Sequence, residues 1–340
     1  MLLTGPRELG LVDLPAPVVG AGEVLLRVSA CGICGSDVHG YDLSSGRRVP
    51  PLVMGHEAAG VVAGIGPGVA RFAEGDRVTF DSTVFCGECA NCRAGRTNLC
   101  TAREVVGVSC QEFRRHGAFA EYVSVPERIC HHLPDEIPME HAAMLEAVSV
   151  AAHAVSRAPF AAGAACLVVG AGMIGALVVQ VLRARGAGEI VSVDRDASRL
   201  ELARRCGATR TIAVGADDPH AVGREVADGL EVSHVYEAVG TSPAVGTAIE
   251  AAARGGHVTL VGNVTPLVDL PLQAVVSREL TLYGSAASSG EFPESIELMR
   301  TGQVDVTPLI SVRAPLDEGP SWFDRLYSGE PGLMKVVLEP

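Results

Sequence analysis

The chain has 340 residues, enough for two lobes with separate cores, and its 48% apolar content excludes a disordered or low-complexity protein. A formal charge of −13 and an isoelectric point near 5.2 exclude nucleic acid as a partner, since a phosphate backbone calls for a basic face. Membrane insertion is excluded too: the longest apolar run, around Ala161 to Val181, is broken by the glycines of a turn.

Up to about residue 150, short β-rich runs alternate with Gly and Pro turns: Glu23 to Val28, Ala59 to Gly64, Arg77 to Phe80 and Ala120 to Val125. That pattern predicts a small, irregular barrel. Within it, Cys34 lies in CGICGSD and His56 and Glu57 are adjacent in GHEAAG, while Glu146 follows in AAMLEAVSV. Taken singly, His56 reads as well as a turn histidine and Glu57 as a solvated charge. Gly55 and Gly60 bracket the pair, which suits a strand end where the backbone turns sharply and both side chains face one point. A mixed sulfur, nitrogen and oxygen set leaves zinc acidic enough to activate a bound hydroxyl.

Four further cysteines form a closed set. Cys86, Cys89, Cys92 and Cys100 are spaced x2, x2 and x7, and four thiolates saturate a tetrahedral zinc, which makes the site structural. An iron–sulfur cluster fits poorly, because the compact bacterial run places three residues before its last cysteine and proline after it, whereas Thr101 follows Cys100. Disulfides are the remaining alternative, and the dense spacing argues against them. Cys31, Cys110, Cys130, Cys166 and Cys206 are scattered, and with no signal peptide pattern at the start we expect reduced thiols in a cytoplasmic protein. Lys335 is the only lysine among 27 Lys and Arg residues, and reads as coding bias without bearing on mechanism.

After residue 150, strands and helices alternate: strand Cys166 to Val169, helix Ala176 to Arg185, strand Ile190 to Val193, helix Ala197 to Cys206, and strands Val232 to Tyr236, His257 to Val261 and Leu280 to Tyr283. This rhythm predicts a doubly wound parallel sheet. No low-complexity linker separates the halves, so a continuous element is expected to join them, with a cleft between the lobes. The turn after the first strand reads Gly170, Ala171, Gly172, Met173, Ile174, Gly175, a GxGxxG set that lets a pyrophosphate approach the backbone and a helix N-terminus. Asp194 lies nineteen residues beyond Gly175, where a carboxylate accepts from both ribose hydroxyls and repels a 2′-phosphate. NAD is therefore favoured over NADP, although the adjacent Arg195 softens the preference.

Together CGICGSDVHG, GHEAAGVV, the four-cysteine lobe, GAFAEYV, AAMLEAVSV, VVGAGMIG and VDRDASRLELAR cover nearly the whole chain. The chain resembles the zinc-dependent medium-chain alcohol and polyol dehydrogenases, of the sorbitol dehydrogenase and threonine dehydrogenase type. The resemblance implies an α/β protein: a GroES-like β-barrel catalytic domain from residues 1–150 and 284–340, with an inserted Rossmann domain over 151–283. It implies that Cys34, His56 and Glu57 bind a catalytic zinc and that Glu146 binds it directly or through water, with Glu57 and Glu146 able to exchange. Ser36 and His39 match a proton relay, Asp194 and Arg199 an adenosine-binding pair, and Gly262 a backbone position near the nicotinamide; Val148 and Ser149 line the same cleft. The implied reaction is oxidation of an alcohol to a carbonyl, with the alkoxide stabilised by zinc and the hydride passed to NAD.

Two departures bear on substrate. Where sorbitol dehydrogenases carry an arginine and a tyrosine facing the polyol, GSAASSGEFP places Ala287 and Ser288, and the late ligand is followed by Ala147 instead of proline. A pocket of small residues suits a cyclic polyol or substituted sugar better than a linear hexitol. An amino alcohol such as threonine is the alternative on the same residues, and a non-catalytic NAD- and zinc-binding redox sensor a further one. A zinc-free quinone or enone reductase lacks both cysteine features. The expected partners are a small alcohol substrate and further copies of the chain, as homodimer or homotetramer, with the edge near Leu280 to Tyr283 as a pairing surface.

Overall fold

A computed structural model describes residues 1–215 and 219–340, with the backbone alone for residues 219 and 220. The chain divides into two compact units. One comprises Met1–Glu146, Ser288–Arg300 and Val306–Pro340, the other Ala147–Ala287 and Thr301–Asp305. The expected boundaries at 150 and 283 thus shift by about four residues, and a five-residue segment returns to the second unit. The helix Leu145–Ser156 carries the chain from one to the other.

The first unit is built on a seven-stranded sheet in the order Cys130–His132, Arg77–Phe80, Glu57–Ile65, Glu23–Gly32, Lys335–Glu339, Ile310–Pro315, with Tyr122–Pro126 also pairing Glu23–Gly32. The strand Glu23–Gly32 alternates between core and half-buried positions for most of its length, so one face holds Val24, Leu26 and Val28 against Phe80, Phe119, Phe323 and Leu338. Each such buried side chain contributes about 1.5–3 kcal/mol. Gly60 sits inside the strand Glu57–Ile65 and not at a turn, while Gly55 does turn, at φ +96°. A Cβ at Gly55 would lie 2.8 Å from the Phe119 nitrogen, so the chain enters His56 along a path closed to larger residues.

The second unit is a six-stranded, all-parallel sheet: Arg210–Ala213, Ile190–Asp194, Cys166–Val169, Val232–Glu237, Ala252–Leu260, Thr281–Gly284. In chain order this is 3-2-1-4-5-6, the dinucleotide-binding arrangement whose switch point falls beside the first strand. Cys166–Val169 is buried along its whole length, as a central parallel strand requires. The strand Arg210–Ala213, absent from the sequence reading, is short, mostly half-buried and at the sheet edge, so it carries little apolar signal.

One row of this sheet is polar. Thr211, Ser192, Tyr236 and Thr259 stand in register across it, with Val168 between the second and third, and all four hydroxyls are buried without a partner among the described residues. A buried hydroxyl without a partner loses its hydration for nothing. Tyr236→Phe is therefore expected to raise the unfolding free energy by about 1 kcal/mol in urea denaturation; a loss of similar size would show that the hydroxyl is satisfied by bound water.

Candidate active site and metal centres

The four cysteines of the closed set lie together, with Sγ atoms within 4.8 Å of one another. Cys89 caps the short helix Ala90–Arg93, which brings its Sγ to 3.5 Å from that of Cys92, and Cys86 lies 3.9 Å from Cys92. Zinc–sulfur bonds of about 2.3 Å in a tetrahedron place sulfurs about 3.8 Å apart, so the donor set fits zinc. Backbone N–H groups already point at these sulfurs: Cys86 N donates to Cys100 Sγ at 3.3 Å and Cys89 N to Cys86 Sγ at 3.3 Å. The backbone N–H of Cys92 is the main reason the Cys89 thiol is pulled down to about 5, toward the thiolate a metal needs.

The open set assembles from three elements. Cys34 caps the helix Gly35–Gly40 just after the strand Glu23–Gly32, while His56 and Glu57 stand at the entry to Glu57–Ile65, whose Glu57 is in register with Gly32. Their ligand atoms lie within 4.8 Å of one another. Sulfur, imidazole and carboxylate are a zinc donor set with fewer than four protein ligands, which leaves the room that the closed site lacks. Glu146 is not part of that cluster. Its carboxyl is half-buried, and burial together with the neighbouring Glu57 and Asp81 carboxylates pushes it up to about 7 against the pull of His56 and Lys335. Ser36 Oγ lies 3.4 Å from both Cys34 Sγ and His56 Nε2, whereas His39 is exposed at the end of the helix.

Three side chains of this site were given no role by the sequence. Asp37, fully buried, accepts from the Cys34 backbone N–H at 3.3 Å and stands 3.4 Å from His56 Nδ1, an ion-pair distance without hydrogen-bond alignment. Burial opposes its ionisation, but His56 and Arg48 hold it well below the usual carboxylate range; burial likewise opposes charge on His56, and Asp37 and Cys34 hold it well above the usual imidazole value. Arg48 donates to Asp37 Oδ1 at 2.9 Å. Lys335 has a role after all. It is fully buried, its Nζ lies 2.5 Å from Glu57 Oε2 and 3.0 Å from the Ile33 carbonyl oxygen, and the Glu57 charge outweighs burial to raise its pKa. The available signal was its uniqueness: a chain that otherwise uses arginine keeps one lysine where a compact ammonium must fit.

In the second unit, Gly172 caps the helix Met173–Ala184, and Met173, Ile174 and Gly175 form its first turn. A Cβ at Gly175 would meet the Gly170 carbonyl oxygen at 1.8 Å, so glycine is required there for the loop to close onto the helix. Asp194 ends its strand with Oδ2 accepting from Ala171 N at 2.7 Å and Oδ1 from Asp196 N at 2.9 Å. Arg195 and Arg199 are exposed beside it, Arg199 3.9 Å from Asp196. Gly262 N donates to the Glu237 carbonyl at 3.0 Å. This loop, helix start and acidic strand end are the elements that could hold a dinucleotide.

Comparison with known proteins agrees. Residues 20–135 match the alcohol dehydrogenase GroES-like domain and residues 174–301 match the zinc-binding dehydrogenase domain. The chain is 32% identical over 343 residues to a sorbitol dehydrogenase of Bacillus subtilis, covering 98% of this chain and 95% of that protein. It is 38% identical over 334 residues to an L-threonine 3-dehydrogenase of Anaeromyxobacter, covering 96% and 94%. A zinc-binding dehydrogenase of Sinorhizobium meliloti bound to NADP superposes with a TM-score of 0.90 at 31% identity, over 100% and 98% of the two chains. The chain therefore belongs to the zinc-dependent medium-chain alcohol and polyol dehydrogenase family, and is an oxidoreductase with a GroES-like and a Rossmann-type part.

Lys335→Met leaves the Glu57 carboxylate buried without a counter-charge and is expected to destabilise the protein by about 3–5 kcal/mol in urea titration. Adding Glu57→Gln should restore most of that loss; a single variant as stable as the parent would show that solvent reaches Glu57.

Proposed function

We propose that the protein oxidises a secondary alcohol of a polyol, cyclitol or sugar derivative to a ketone, with hydride transfer to NAD. The observation that carries this is the mixed set Cys34, His56 and Glu57, with Ser36 Oγ 3.4 Å from two of its donor atoms. Zinc held there supplies Lewis acidity toward a substrate oxygen, and a bound nicotinamide supplies the hydride acceptor. Ser36 receives the hydroxyl proton and His39, exposed, returns it to solvent. Glu57 keeps one oxygen on Lys335 and has the other for the metal, while Glu146 is the further carboxyl available to replace it or to hold a water.

Support for NAD over NADP comes from the acidic strand end at Asp194, since a carboxylate repels a 2′-phosphate; the exposed Arg195 and Arg199 and the NADP bound to the Sinorhizobium relative weigh against exclusivity. The small residues Ala287 and Ser288 support a bulky or cyclic substrate. An amino-alcohol substrate is the second reading, favoured by the 38% identity to a threonine dehydrogenase. The ten cysteines are all unpaired, as suits a cytoplasmic enzyme. A second copy of the chain is the partner we assign to the edge strand Thr281–Gly284, which Val264, Leu267, Leu272 and Val276 precede as exposed apolar residues.

Reduction of NAD by a panel of linear polyols, cyclic polyols, sugars and threonine, with and without a zinc chelator and repeated with NADP, tests this. Chelator-sensitive turnover of a cyclic polyol or sugar with NAD is expected; turnover of threonine alone establishes the second reading, and none at all with both ligands bound overturns the enzymatic one. Asp194→Ser should narrow the preference for NAD roughly tenfold or more.

A further inference from the structure

Arg48 belongs to none of the sequence motifs, yet it is 4% exposed and its guanidinium ends among the side chains of the open site. Nη2 donates to Asp37 Oδ1 at 2.9 Å and to Ser36 Oγ at 3.4 Å, and Nη1 donates to the Arg47 carbonyl at 3.0 Å. The oxygen it takes on Asp37 is the one that faces His56 Nδ1 at 3.4 Å. One nitrogen thus touches both the carboxylate behind a metal ligand and the hydroxyl beside it. The Nε hydrogen has no partner among the described residues, a penalty of burial accepted in favour of the Nη2 contacts.

We infer that Arg48 is a positioning residue of the open site, which holds Asp37 against His56 and fixes Ser36 Oγ with one lone pair left to take the substrate's proton. A guanidinium has donors and no acceptor, so Ser36 Oγ can only accept from it and must direct its own hydrogen elsewhere. Its other neighbours are Cys34 Sγ and His56 Nε2. A metal takes the single lone pair of His56 Nε2 but leaves Cys34 Sγ able to accept, so the hydrogen of Ser36 turns to that sulfur or onward to the relay while its second lone pair faces the substrate hydroxyl. Arginine suits this because its rigid fork reaches Asp37, Ser36 and the Arg47 carbonyl together, whereas an ammonium is a single point of charge.

The inference rests on Cys34, His56 and Glu57 forming the catalytic metal site. It is tested on the full-length holoprotein with Arg48→Gln, Arg48→Lys, Ser36→Ala and the double variant Ser36→Ala/Arg48→Gln. Zinc affinity is measured by chelator competition, the four-cysteine site serving as internal reference, and kcat and KM are measured separately. Arg48→Gln should weaken zinc at the open site roughly tenfold or more, leave the four-cysteine site unchanged, and lower kcat by a similar factor with KM within about threefold. In the Ser36→Ala background it should lower kcat no further, and Arg48→Lys should recover zinc affinity without recovering kcat. Unchanged zinc affinity, or kcat losses that multiply in the double variant, overturns the proposal. Should Arg48→Gln fail to fold, Arg48→Lys, which keeps the buried charge paired, decides it: full kcat there overturns the role through Ser36. If the parent protein turns over no alcohol the functional reading fails, while the zinc measurements still decide whether Arg48 holds His56.

Discussion

Charge that water cannot reach must be paired, and the first unit is organised around that requirement. Asp37, Glu57, Lys335 and Arg48 are each at most 4% exposed, and none could stay ionised there alone without several kcal/mol of lost solvation. They resolve into two pairs, Arg48 with Asp37 and Lys335 with Glu57, at 2.9 and 2.5 Å. They serve two consecutive residues: the first pair stands behind His56, and in the second Lys335 holds Glu57 itself. A divalent metal entering this site therefore meets donors whose outer faces are already fixed, which is how a site with fewer than four ligands keeps its geometry.

The backbone makes that arrangement reachable. Gly55 turns the chain immediately before His56, and the register of Glu57 with Gly32 brings the end of one strand beside Cys34, the cap of the next helix. Lys335 arrives from the far end of the chain because Lys335–Glu339 inserts beside Glu23–Gly32 in the same sheet. The four-cysteine lobe is the opposite design: its candidate ligands come from one short segment, and backbone N–H groups of that segment already donate to its sulfurs.

Much of this was visible in the residues. The parallel-sheet unit declared itself through apolar runs such as Cys166–Val169 and the glycines before Met173, because central strands and phosphate loops impose local demands on each position. The edge strand Arg210–Ala213 imposes few, and escaped notice. Gly60 looked like a turn and is a mid-strand glycine, since a missing side chain does not say whether φ or close approach required it. Ser36 could as well have been a helix cap; the cap is Cys34, and Ser36 faces the donor atoms.

The sequence by itself determined the family and named the candidate donors and the glycine-rich loop, for these are written in residue types at short spacing. Only the tertiary structure decided which charges share a buried site. Lys335 meets Glu57 across 278 residues, and Arg48 meets Asp37 across eleven by way of the turns that follow the helix Gly35–Gly40, distances over which no periodicity or spacing rule operates. Their partnership follows from sheet register and from the cost of isolating a charge, and both are properties of the folded chain.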